Sequence, residues 1–138
     1  MLTLLLSVLA ASVGPCSAGR EFEPPLCPTG LARVVALRSE VQGFAIWPED
    51  ALDPPCHGFV LTETDARRFF RDAREADARA VHYTLPESPC VVQGHVGFAD
   101  GTNGRWQIDR YALGWLDRPG RPRMILYCRG CRRAPWMQ

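Results

Sequence analysis

The sequence predicts an α+β fold: a mainly antiparallel sheet of about five to seven strands, ending in a C-terminal meander, with one amphipathic helix packed on a face. Three observations predict it. Between Cys90 and Cys128 apolar residues recur at every second position, the period of half-buried strands. A stripe of helical period begins just after Thr62. The chain has 138 residues, 46% hydrophobic and 22% charged, enough for one packed core and little more.

Taken in order, residues 2–13 form an apolar run too short to span a bilayer, and Gly14, Pro15, Cys16, Ser17 and Ala18 are small residues of the kind that precede signal-peptidase cleavage. This predicts a signal peptide over residues 1–18, an extended segment over 19–30 and a single domain over 31–138. Cys16 also stands in a loose lipobox, which opens a lipoprotein alternative, although Pro15 suits that signal poorly. No other stretch is long and apolar enough to form a transmembrane segment. Residues 31–37 and 41–47 read as two strands around Arg38, Ser39 and Glu40. Residues 48–56, rich in Pro and carboxylates, read as a surface loop.

Thr62 and Asp65 have the spacing of a capping box, and Glu63 and Asp65 place negative charge at the positive end of a helix dipole. Leu61 and Ala66 stand where a hydrophobic staple would close. Ala66, Phe69, Phe70, Ala73 and Ala76 fall on one stripe, so the helix is expected to run for about four turns and to lay its phenylalanines on the sheet. Residues 80–85 alternate like a strand, and Pro86 and Pro89 turn the chain into the meander. There Val92, Gly94, Val96 and Phe98 share one face, with Val91, Gln93, His95 and Gly97 on the other. Residues 100–104, Asp-Gly-Thr-Asn-Gly, are a hairpin loop; Trp106 and Ile108 resume the inward face; residues 117–120 make a further turn.

Removal of residues 1–18 would leave five of the six cysteines, an odd number, in a compartment where thiols pair. The preferred pairs are Cys90 with Cys128, bracketing the meander, and Cys27 with Cys56, which leaves Cys131 as a free or redox thiol. All 16 basic residues are Arg, the mark of codon bias in a GC-rich bacterial genome rather than of guanidinium chemistry.

The segments LTETDARRFF, SPC, GFADGTNGRWQI, GWL and YC together resemble a set of uncharacterised small exported proteins of proteobacteria. The resemblance covers residues 57–135. It implies a fold of this class and a location in the envelope, periplasmic or secreted, and it carries over no catalytic residue.

The residues weigh against several chemistries. Cys128 and Cys131 have redox-motif spacing, yet Arg132 to Gln138 cannot supply the helix whose N-terminus would activate a thiolate. Cys56, His57, Cys128 and Cys131 lack the two close pairs of a zinc site. His57, His82 and His95 are scattered, with no flanked nucleophile. Asp100 and Asp109 fall near a turn and on a polar strand face, where carboxylates are solvated. No cofactor motif is present: the glycines of residues 94–104 lie in a hairpin, without the strand-to-helix context that binds phosphate. Residues 1–60 carry three Arg against six acids and the remainder 13 against nine, with Arg118, Arg121, Arg123, Arg129, Arg132 and Arg133 gathered toward the C-terminus. Such a patch suits an anionic partner surface rather than nucleic acid. The sequence therefore predicts a small exported binding protein with a protein partner in the envelope, an inhibitor or immunity-type protein; the alternative is an envelope thiol-redox protein using Cys128 and Cys131.

Overall fold

The computed structural model describes residues 15–47 and 55–136, so the segments expected to form most of the signal peptide and the proline-rich loop lie outside the described residues. Seven strands form one antiparallel sheet: β1 (Leu26–Cys27), β2 (Val34–Ala45), β3 (Arg74–Ala76), β4 (Cys90–Phe98), β5 (Asn103–Asp109), β6 (Leu113–Asp117) and β7 (Met124–Tyr127). Their order across the sheet is β1-β3-β7-β6-β5-β4-β2. The C-terminal four strands are consecutive neighbours, the expected meander, and Gly101 takes a φ of 86° in the β4–β5 turn, where a side chain would be strained.

Alternation in β4 decides the two faces. Val92, Val96 and Phe98 are buried with Trp106, Ile108, Leu116 and Leu126 against helix α1 (Glu63–Asp72). Phe70 meets Phe98 and Trp106 edge-on at ring-centroid distances of 6.2 Å each, so the helix docks through aromatic edges. The cap is reciprocal as the spacing implied: Thr62 Oγ1 accepts from Asp65 N at 3.1 Å, and Asp65 Oδ2 accepts from Thr62 N at 3.0 Å.

Four local expectations are corrected. The helix stops at Asp72, under three turns, because Ala73 is extended and residues 74–76 are drawn into β3 beside β7. Ala73 and Ala76 are buried all the same, since a stripe that continues past a helix end can serve a strand. Residues 80–85 are not a strand: α2 (Ala78–Thr84) starts where Asp77 accepts from Arg79 N at 2.7 Å, and Val81 and Leu85, four apart, both face a second apolar cluster with Leu26, Ala76 and Leu113. The two strands expected over 31–47 are one, β2, whose three register shifts against β4 absorb the polar residues between the apolar runs. Leu26 and Cys27, expected only to be extended, pair with β3.

The disulfides are Cys16–Cys27, Cys56–Cys90 and Cys128–Cys131, with no free cysteine among the described residues. The expected pairs fail on sheet order. Cys90 opens β4 and Cys128 follows β7, three strand spacings or about 14 Å apart, whereas bonded cysteines need Cα atoms within about 7 Å. Cys27 lies in β1 at one edge, while Cys56, in a 3₁₀ turn (Cys56–Gly58), packs beside β2 at the opposite edge. Cys131 is no free thiol, being bonded to its neighbour across a turn.

Candidate binding face

With one face of the sheet filled by α1, the other is available, and strand register decides what it shows. Gln93 opposes Gln107, Gln107 opposes Trp115, and Trp115 opposes Ile125, so these four form a row across β4, β5, β6 and β7. Gln93 Nε2 donates to Gln107 Oε1 at 2.7 Å, which orients both amides. One register step away, His95 opposes Arg105 and Arg105 opposes Asp117. His95 Nε2 lies 2.8 Å from Glu40 Oε1, and the Arg123 fork meets both Asp117 oxygens at 2.8 Å. The same guanidinium stacks over Trp115 at 4.0 Å from the ring centroid, which pins the indole. The face is half-buried rather than covered: α2 screens the β7 side, while Gln93, His95, Gln107 and Trp115 keep partial exposure.

Beside the row lies a small cavity of about 100 Å³ between Trp47, Val81, Ser88, Gln107, Asp109 and Trp115. Trp47, 49% exposed, lines it together with Trp115, and Phe44, 46% exposed, pairs with Val91 on β4. Aromatic anchors flanked by oriented amides are what a protein-binding surface needs: large apolar area with few rotamers to fix.

Asp109 was expected on a solvated polar face; it is only 5% exposed. Its Oδ2 accepts from Ser88 N at 2.9 Å, and its Oδ1 accepts from Tyr111 N at 2.8 Å and Leu113 N at 3.2 Å. Burial pushes its pKa up to about 7, against the three backbone donors, which favour the charged form. The carboxyl closes the turn of residues 109–113 on itself and ties it to Ser88, so its acceptor oxygens are already engaged. Asp100, by contrast, does sit at an exposed turn, its carboxyl held below the usual range chiefly by the Thr102 hydroxyl, which donates to it at 2.7 Å.

The six C-terminal arginines do not form one patch. Arg118, Arg121 and Arg123 belong to the β6–β7 turn, while Arg129, Arg132 and Arg133 follow β7; a strand of four residues separates the groups by about 13 Å. Arg123 is committed to Asp117, and Arg129 Nε lies 3.3 Å from Glu23 Oε2. Nearness in sequence hid this, because a short strand carries its two ends to opposite sides of the sheet.

Cys128 and Cys131 are 1% and 9% exposed, and a turn, not a helix, follows them. No group of three or more His, Cys, Asp or Glu among the described residues is placed to hold a metal ion. His57, His82 and His95 lie in three separate elements. No described helix is long and apolar enough to cross a membrane. Comparison with protein-family models, curated proteins and solved structures finds no match to the chain.

Proposed function

We propose that the protein is a small exported binding protein of the bacterial envelope, without turnover of its own, that engages a protein partner through the open sheet face. The observation that carries this reading is the row Gln93, Gln107, Trp115 with the exposed Trp47 beside it: oriented amides and aromatic anchors on a sheet whose other face is already filled. An inhibitor or immunity-type protein, one that occludes a toxin or enzyme, is the narrower form of the proposal. A surface on a disulfide-tied sheet suits occlusion because little freedom is lost on docking.

Export is supported by three disulfides in so short a chain, by the apolar N-terminal run and by the resemblance to small exported proteins of proteobacteria. The lipoprotein alternative at Cys16 is disfavoured, since one sulfur cannot hold both a thioether-linked lipid and the bond to Cys27. The redox alternative retains one point in its favour, the bond between Cys128 and Cys131. Cys128 is buried and Cys131, which lines a cleft with Arg132 and Arg133, has no helix N-terminus to stabilise a thiolate.

The experiment is a pair of captures from envelope extract, with the wild type and with Trp115→Ala/Trp47→Ala, followed by titration of the captured protein after purification. A specific partner should bind the wild type and lose affinity for the variant by at least about tenfold, as for other aromatic anchors. Equal affinity for the two would remove the face from the proposal.

A further inference from the structure

A second basic cluster lies on the helix side of the sheet, outside the C-terminal run of arginines. Residues 64, 67, 68 and 71 fall on one stripe of α1, and across a groove of about 520 Å³ they face the segment leading into β2. Arg67, Arg68 and Arg71 line one wall and Arg33 the other, above an apolar floor that includes Leu31 and Val34. Only Arg71 is neutralised, its fork meeting Asp72 at 2.8 and 2.9 Å. Arg67 Nη1 reaches the Val34 carbonyl at 3.5 Å, a marginal distance. Among the described residues no carboxylate pairs with Arg33, Arg67 or Arg68. Of the acids along the helix, Asp65 is committed to the cap, Asp72 is forked by Arg71 and feels Arg68 only through space, and Glu63, four residues before Arg67, makes no ion pair with it.

Arg67 and Arg68 stand on the helix wall and Arg33 is brought up to the same groove from a different segment. We propose that the groove binds a phosphoryl group borne on a partly apolar body. Arg33, Arg67 and Arg68 line it without a carboxylate contact, each carrying a planar fork of donors. A single carboxylate has two oxygens and one charge and is saturated by one or two such forks. A phosphate dianion has enough oxygens and charge to engage all three. Thr29 and Thr64 add hydroxyl donors at the groove, and its volume falls in the range of small-molecule sites, which leaves room for more than the phosphate itself. The site is independent of the proposed partner face, which lies on the opposite side of the sheet.

The test uses the intact, oxidised protein at low salt, with calorimetric titration of inorganic pyrophosphate and co-sedimentation with vesicles containing phosphatidic acid, a phosphomonoester lipid. The variants are Arg67→Gln/Arg68→Gln, Arg33→Gln on the other wall, and Arg118→Gln/Arg121→Gln at the distant turn as a control of equal charge loss. Binding of either probe that falls at least about tenfold in the double helix variant, falls in Arg33→Gln and survives in the turn control supports the proposal. Pyrophosphate binding then marks a soluble phosphate compound, and vesicle binding alone marks a lipid headgroup. Equal losses in the helix and turn variants, binding of neither probe at millimolar concentration, or tighter binding of a glutamate-rich peptide than of pyrophosphate would each overturn it.

Discussion

At the scale of single residues, Asp109 shows burial and hydrogen bonding acting in opposite directions on one carboxyl. Three backbone N–H groups hold it, yet the removal of water raises its pKa to about 7. An unfolded Asp titrates near about 3.9, so the folded protein binds the proton more tightly than the unfolded chain does. The stability this contributes is fully present below the unfolded value and is lost as pH rises through about 7. Asp109→Asn keeps an acceptor for Tyr111 and Leu113 and does not titrate. The wild-type urea midpoint should therefore fall more between pH 5 and pH 8 than that of Asp109→Asn; parallel falls would assign the pH dependence to other groups. Asp109→Ala strands three buried donors, each costing about 1–3 kcal/mol, and should be destabilising at every pH. Alternation placed Asp109 on the outer face correctly. What alternation cannot show is that Ser88, twenty-one residues earlier, closes over it.

At the scale of elements, legibility followed the range of the interactions. Helix α1 was readable at its start because Thr62 and Asp65 satisfy each other locally, and its end was not, because pairing of β3 with β7 stops it. Thr62→Ala removes the cap and should cost about 1 kcal/mol, measurable as a shift in the thermal midpoint. Helix α2 was hidden by an accident of spacing, in which Val81, Tyr83 and Leu85 alternate while Val81 and Leu85 also repeat at four; Asp77 was the signal that could have found it. Strand β2 shows the same dependence on partners, since its bulges are set by β4. Glycines in β4 give the sharpest contrast. A Cβ at Gly94 would collide with the Arg38 carbonyl and press to 2.7 Å from Trp106 Cζ2, so Gly94→Ala should cost about 3 kcal/mol by forcing β2 from β4. At Gly97 a Cβ meets only the Ala36 methyl at 3.6 Å, and Gly97→Ala should be neutral or slightly stabilising. Chemical denaturation of the two variants compares them directly.

At the scale of the whole molecule, fold class was legible from periodicity, but strand order was not, and three consequences of order were lost with it: the open face, the division of the C-terminal arginines and the cysteine partners. The disulfides are distributed where sheet hydrogen bonding ends. Cys56–Cys90 ties the turn beside edge strand β2 to the start of β4, Cys16–Cys27 holds edge strand β1, and Cys128–Cys131 closes the chain as it leaves β7. Their sequence separations of 34, 11 and 3 rank what each removes from the unfolded ensemble. In the chain-entropy model the first contributes about 4 kcal/mol and the second about 3, with the third smallest. Paired Cys→Ala variants should therefore lose stability in that order in guanidinium. If the chain is exported and processed as proposed, the Cys16 bond bears on where it is cut. Ser17 N donates to the Leu26 carbonyl at 2.7 Å, and Leu26 N donates to Ser17 Oγ at 3.1 Å, so residues 16 and 17 are stitched to β1. Cleavage near Ala18 would discard that stitching and leave Cys27 as a lone thiol. Cleavage ahead of Cys16 keeps all six sulfurs paired. Non-reducing mass spectrometry of the processed chain, after alkylation without reductant, should find no alkylated cysteine and an N-terminus at or upstream of residue 16. One alkylated Cys27 on a chain beginning after residue 18 would show instead that β1 is held in the mature protein by its pairing with β3 alone.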